Sequence, residues 1–257
     1  MDNNILWKAL AIIRTKGLCV LIRKILAKIQ FKVMLLPFAI IKVKNTRLLN
    51  LSELTQFCFD DVFGLIKPQQ FQSEILRLIT VVNEMKPRRV IEIGTSRGGT
   101  LFLLCRVAAE DATIISIDFP DRRFGGCYPL WKIPLYKAFK LPKQKLYLVR
   151  ADSHRLETLT KIKDLLNGEK ADFIFIDGDH SYEGVRQDFE MYSPLLGVKA
   201  LMAFHDIVVH PVEAGCGVSK FWDELKQHGY KYDEIVADVN QDWGGIGVLN
   251  EFRGNKL

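Results

Sequence analysis

Cysteine is scarce in this sequence: Cys19, Cys58, Cys105, Cys127 and Cys216 among 257 residues, odd in number, scattered and without a CxxC spacing. That pattern excludes a disulfide framework and a structural zinc site, and it fits a reducing compartment. Long apolar runs are missing too. The longest, residues 33–41, has nine residues, includes Pro37 and lies between Lys32 and Lys42, whereas a membrane crossing needs about 20. A spanning helix is therefore not expected. Nor is a secretory signal, because Lys and Arg recur throughout the first fifty residues and no small-residue cleavage pattern follows. Internal repeats and low-complexity linkers are absent as well. With 48% hydrophobic and 26% charged residues, the composition is that of a globular α/β domain, alone or with an appendage.

Acidic residues are almost missing from the N-terminus. Residues 1–50 carry ten Lys or Arg against the single Asp2, a net of +9, and the rest of the chain has 26 basic and 29 acidic residues, a net of −3. The overall charge of +6 thus describes an appendage at 1–50, and nucleic acid is not an expected partner of the main domain at 51–257. Leu18, Leu21, Ile22, Ile25, Leu26, Ile29 and Val33 have the spacing of one helix face, while Lys24, Lys28 and Lys32 share another. Such a basic amphipathic helix suits a membrane surface, met through residues 1–44, with each lysine on an anionic headgroup worth roughly 1 kcal/mol. It equally suits a helical cap on the main domain or a homo-oligomer contact. The expected location is the cytoplasm, free or peripheral to a membrane.

Residues 51–68 read as irregular, with Asp60, Asp61 and Gly64 as breakers, and a helix is predicted over 70–85. Then the pattern changes. Five short apolar runs follow: 90–94, 113–118, 146–152, 172–177 and 200–206, with helix-compatible stretches at 98–109, 155–167, 181–195 and 218–228. Two further strands are predicted at 231–236 and 245–249. Buried strands alternating with helices imply a doubly wound, parallel α/β sheet. Each of the five runs ends in chemistry: Glu92 with Gly94, Asp118, Asp152, Asp177, and His205 with Asp206. Ligands bind along that edge of an open α/β sheet, and so many acids exceed what helix capping requires.

The loop Glu92-Ile-Gly94-Thr95-Ser96-Arg97-Gly98-Gly99 follows the first strand and opens a helix. Glycines there let backbone approach a ligand, beside the unpaired N–H groups of a helix start. Ser96 occupies the second glycine position of a dinucleotide fingerprint, so that match fails. What remains is E-x-G-x-x-x-G with Asp118 ending the next strand, where a carboxylate can accept from two vicinal ribose hydroxyls. Glu92 suits an ammonium group or a brace for the loop.

This arrangement resembles the first motif of the class I S-adenosylmethionine-dependent methyltransferases. The segments 150–154, 173–183 and 203–207 (Arg150-Ala-Asp-Ser-His, Phe173-Ile-Phe-Ile-Asp-Gly-Asp-His-Ser-Tyr-Glu and Ala203-Phe-His-Asp-Ile) are similar to the macrocin O-methyltransferase-like and cephalosporin-hydroxylase-like family, over roughly residues 68–250. The resemblance implies a Rossmann-like seven-stranded sheet, mostly parallel with its last strand antiparallel, and S-adenosyl-L-methionine as cofactor. It places Glu92, Gly94, Thr95, Ser96 and Gly98 around the methionine part, Asp118 at the ribose, and Asp152 with Ser153 near the adenine, with Asp177 also at the cofactor. By the same resemblance Asp177, His205 and Asp206 would hold a divalent metal, and His180 would be the general base beside catalytic Asp177. His205 departs from the carboxylate or amide often found in relatives. An imidazole makes manganese, iron or zinc as plausible as magnesium.

The function implied is O-methyl transfer, assisted by the metal, to a hydroxyl of a small molecule or of a sugar or glycan. A cofactor-binding scaffold that acts through a partner enzyme is the alternative, and after it an NAD-dependent oxidoreductase, against which Ser96 argues. Asp179 is expected as the N-cap of the helix near Ser181 or as an acid orienting His180, and His154 and His210 at the surface or behind the site. Tyr182 and Trp243 are expected beside an acceptor pocket or in packing, and the stretch with Arg122, Arg123, Gly125, Gly126, Tyr128 and Trp131 as a lid or substrate loop or, equally, in packing.

Overall fold

The computed structural model describes residues 30–31, 33–46, 49–120 and 127–250. Most of the amphipathic stretch 18–33, including Lys24, Lys28 and Lys32, lies outside the described residues, as do Arg122, Arg123, Gly125 and Gly126.

Seven strands form one sheet in the order β3-β2-β1-β4-β5-β7-β6. They are β1 (Arg89–Ile93), β2 (Thr113–Asp118), β3 (Lys145–Arg150), β4 (Ala171–Ile176), β5 (Leu196–His205), β6 (Lys231–Ile235) and β7 (Ile246–Asn250). Strands β1 to β5 pair in parallel, and β7 runs antiparallel between β5 and β6. The Rossmann-like, doubly wound architecture with an antiparallel last strand is therefore present. Alternation along each buried strand divides the core between two helical layers. Val90, Ile114, Phe173 and Phe175 face one side, and Ile91, Ile115, Ile174 and Ile176 the other.

On the first side lie α1 (Leu36–Lys44), α2 (Leu51–Asp60), α3 (Gln72–Met85), α4 (Gly99–Val107) and the short α5 (Ile133–Lys137); α6 (Leu156–Leu166), α7 (Tyr182–Tyr192) and α8 (Val218–Gln227) cover the second. Helix α2 corrects the reading of 51–68 as irregular. Its start is a capping box: the Asn50 side chain accepts from the Glu53 N–H, and the Glu53 carboxylate accepts from the Asn50 N–H, both at 2.9 Å. The breakers at 60–64 end this helix; they do not prevent it.

Residues 36–46 are part of the main body. Ala39 and Val43 of α1 are fully buried, and Arg106 of α4 donates to the Val43 carbonyl at 2.8 Å and to Thr46 Oγ1 at 3.2 Å. The same guanidinium bonds the Phe139 carbonyl and lies 4.6 Å from the Phe102 ring centroid. One cation thus ties α1, α4 and the segment after α5 together. The four cysteines among the described residues are free.

Arg106→Ala should strand the buried Phe139 carbonyl, an unpaired acceptor worth about 1–3 kcal/mol, and leave the Val43 carbonyl with the Thr46 hydroxyl alone, while the guanidinium contact with the Phe102 ring is lost. Urea unfolding is expected to show a loss of roughly 2–4 kcal/mol, with Arg106→Lys recovering only part of it.

Candidate active site

The sheet order reverses between β1 and β4, and at the carboxyl edge there a cavity of about 510 Å³ opens. Gly94, Thr95, Ser96 and Gly98 of the β1 loop line it, with Asp118 from β2, Asp152 and Ser153 after β3, Asp177 and His180 after β4, and His205 with Asp206 at the end of β5. Gly94 is required by space as well as by torsion. Its φ is +92°, and a Cβ there would lie 1.9 Å from the Asp177 carbonyl oxygen, so the β1 loop presses directly on the end of β4.

Glu92 is the exception among the expected residues. It does not line the cavity. Strand alternation turns its side chain to the Val90 side, where it is fully buried and both carboxyl oxygens lack an aligned hydrogen-bond partner. Burial pushes its pKa well above the usual carboxylate range, opposed by Thr95. Thr95 in turn is in close contact with Ser116 through their hydroxyls. Glu92 therefore sits beneath the loop, and the bracing role fits its position. Asp118 is raised by burial, opposed by backbone N–H groups, one of which, from Tyr128, donates at 3.1 Å.

The ends of β4 and β5 concentrate charge. His205 Nδ1 is 3.2 Å from an Asp177 oxygen and 3.1 Å from an Asp206 oxygen, yet neither ring nitrogen has an aligned hydrogen-bond partner. Burial lowers the pKa of this imidazole, but the two carboxylates reverse that and hold it up at about 10. His180 Nδ1 lies 2.5 Å from Asp206 Oδ2, and His210 Nε2 lies 3.2 Å from Asp206 Oδ1. Burial alone would raise Asp206; His180, His205 and His210 hold it well below the carboxylate range. Asp206 also has a positive φ of 66°, a strained torsion for a residue with a side chain.

Ligand atoms of Asp177, His205 and Asp206 lie within 4.8 Å of one another, and so do those of His180, Asp206 and Cys216. The first set fits a divalent ion better. It combines two carboxylates with a buried, unaligned imidazole, whereas burial raises the Cys216 thiol and keeps it protonated.

Several side chains were placed differently by sequence reasoning. His210 and His154 both line the cavity. Ser181, not Asp179, caps α7, its hydroxyl accepting from the Gly184 N–H at 3.1 Å, while Asp179 accepts from the Ser181 N–H at 2.9 Å. Trp243 lines the cavity and stacks on Phe71 at 4.3 Å, but Tyr182 is held away by a 2.8 Å bond to Glu224. Tyr128 is buried against Tyr136, and Trp131 packs on the core. Gln70 was missed altogether: it donates to Asp177 Oδ2 at 3.0 Å and accepts from the Thr100 hydroxyl at 3.0 Å. No motif surrounds it; only the approach of the segment before α3 to β4 reveals it.

At the far end of the cavity, His154 Nε2 is 3.3 Å from Asp188, a fully buried carboxyl on α7. The Asp188 carboxylate beside the ring raises His154 against the opposing effect of burial, and burial raises Asp188 itself.

Residues 91–207 match the family described as a methyltransferase domain. Protein y4gI of Sinorhizobium fredii is 31% identical over 149 residues, 56% of this chain and 16% of its own length, so the chain spans about a sixth of that relative. The crystal structure of the O-methyltransferase TomG from Streptomyces achromogenes, involved in tomaymycin synthesis and in complex with SAM, superposes with a TM-score of 0.54 at 20% identity, covering 78% of this chain and 88% of the other. An O-methyltransferase from Bacillus cereus in complex with SAH gives 0.52 at 16% identity, covering 78% and 90%.

Asp188→Asn should lower the pKa of His154, because it removes the largest influence raising it and leaves only Asp152 and Asp179 to oppose burial. Histidine-resolved NMR titration checks this. A raised folded pKa stabilises fully below the unfolded value near 6.5, and the gain fades as pH climbs through the folded value; the variant is expected to lose that dependence.

Proposed function

We propose that the protein, whose residues 91–207 match a family described as a methyltransferase domain and whose fold is that of an O-methyltransferase solved with SAM, transfers the methyl group of S-adenosyl-L-methionine to a hydroxyl oxygen of a small molecule or a sugar. The observation that carries the oxygen acceptor is the His180–Asp206 pair beside Asp177 and His205, in the same cavity as the glycine loop and Asp118.

Asp118, buried at the end of β2, is placed to accept from the ribose hydroxyls. The β1 loop from Gly94 to Gly98 offers backbone to the methionine end, and Asp152 with Ser153 borders the adenine side. TomG, in complex with SAM, shares the fold at 20% identity and supports a cofactor in this cleft.

Transfer is an in-line displacement: the acceptor oxygen attacks the methyl carbon, the sulfonium bond breaks, and the acceptor proton must leave. His180 Nδ1 is held by Asp206, which leaves Nε2 to take that proton. Gln70 fixes one oxygen of Asp177, so that its other oxygen keeps its orientation toward His205. Asp177, His205 and Asp206 would hold a divalent ion, which when bound lowers the pKa of an acceptor hydroxyl. Alignment of acceptor and methyl donor in the closed cleft accounts for up to about 7–11 kcal/mol of barrier lowering.

Calorimetry should detect S-adenosylhomocysteine binding and no NAD binding, with Asp118→Ala weakening it by about tenfold or more, one lost bidentate contact. Binding of NAD alone overturns the assignment. With an acceptor that supports turnover, His180→Gln should reduce kcat by about 10²–10⁴ while leaving S-adenosylhomocysteine affinity within roughly twofold; an unchanged kcat removes His180 as the base.

A further inference from the structure

Helix α1 and the helical residues just before it are apolar on two opposite sides. Ala39 and Val43 point inward and are fully buried, while Phe31, Met34, Phe38 and Ile41 recur at spacings of three and four and are 58–66% exposed. The inward side already meets the core, so packing explains nothing about the outward one. An aromatic ring extends the stripe. Phe63 is 46% exposed, and Lys42 of α1 lies 5.6 Å from its centroid while pairing with Asp61 at 2.6 Å. Val62 and Phe63 have positive φ of 53° and 56°. Left-handed torsions at a branched and an aromatic residue in succession are strained, and here the turn leaves a phenyl ring in solvent.

We propose that this face docks onto an anionic lipid bilayer surface, with Phe31, Met34, Phe38, Ile41 and Phe63 entering the headgroup–acyl boundary. Charge selects this occupant over a second copy of the chain. The first fifty residues carry ten Lys or Arg and one acid, so two copies meeting through this segment repel, whereas an anionic surface attracts the same cations. Exposed phenylalanine, isoleucine and methionine beside lysine match the composition of helices that lie in the interface plane. No helix among the described residues is long and apolar enough to cross a membrane, and the stripe is parallel to α1, so the contact is lateral.

The test is co-sedimentation of the full chain with phosphatidylcholine vesicles containing about one-third phosphatidylserine, against pure phosphatidylcholine, at physiological salt. The wild type is expected to partition onto the anionic vesicles and not the neutral ones. Phe38→Ser with Ile41→Ser keeps every charge, and should reduce that partitioning by about tenfold or more, with the circular dichroism spectrum and thermal midpoint retained. Should the double variant unfold, Phe38→Ser alone decides, with a severalfold loss expected. No binding by the wild type overturns the proposal, as does full binding by the folded variant, which would assign binding to the lysines and arginines alone. Sedimentation velocity closes the remaining route: a wild-type dimer that dissociates on the double substitution would give the face to a second copy.

Discussion

Two carboxylates delivered to the same place by adjacent strands set the terms for the rest of the site. Asp177 follows β4 and Asp206 follows β5, and parallel pairing of those strands brings both ends to one edge. Left alone they would repel in a poorly solvated cleft, and one would take a proton. Three imidazoles prevent this. His205 sits between the two acids, and His180 and His210 approach Asp206 from the loops that follow each strand. The demand for positive charge at this point is the same whether an imidazole proton or a divalent ion answers it. The strain at Asp206, whose φ is 66°, is tolerated because three partners determine its position.

The glycine-loop side of the cavity is built on the opposite electrical principle, with much backbone from Gly94 to Gly98. Gly94 has no Cβ, so the β1 loop and the end of β4 touch, and the glycine loop and the acid-imidazole cluster become neighbours in one cavity. Glu92 and Asp188 are the buried acids beneath this floor. Glu92 braces the loop from below the sheet edge, and Asp188 holds His154 and with it the segment of Asp152 and Ser153. Glu92 lies within an apolar strand like the acids that face the cavity, and Asp188 sits among polar residues of α7, so neither direction was legible in the sequence alone.

Legibility followed the range of the interactions. Strands were visible because each is a short apolar run with its own ending, and Asp118, Asp177 and Asp206 were visible because strand ends map to one edge once the sheet is parallel. Helix α2 was not, since its decisive signal was a four-residue capping box beside breakers that drew more notice. Gln70 reaches the cavity from the segment before α3, which touches it only once β1 and β4 are paired. His210 is brought inward by a bond to a residue four positions earlier, which no periodicity announces.

By itself, then, the sequence determined the doubly wound sheet, the glycine loop with Asp118 at the next strand end, and the meeting of Asp177, His205 and Asp206, because these depend on local periodicity and on a topology that admits few solutions. Only the tertiary structure decided that Glu92 turns beneath the loop, that His154 and His210 join the cavity, that Ala39 and Val43 belong to the core, and that Phe38 and Ile41 do not. Those outcomes depend on which side of an element meets another, and a side chain's direction is fixed only when distant segments pack.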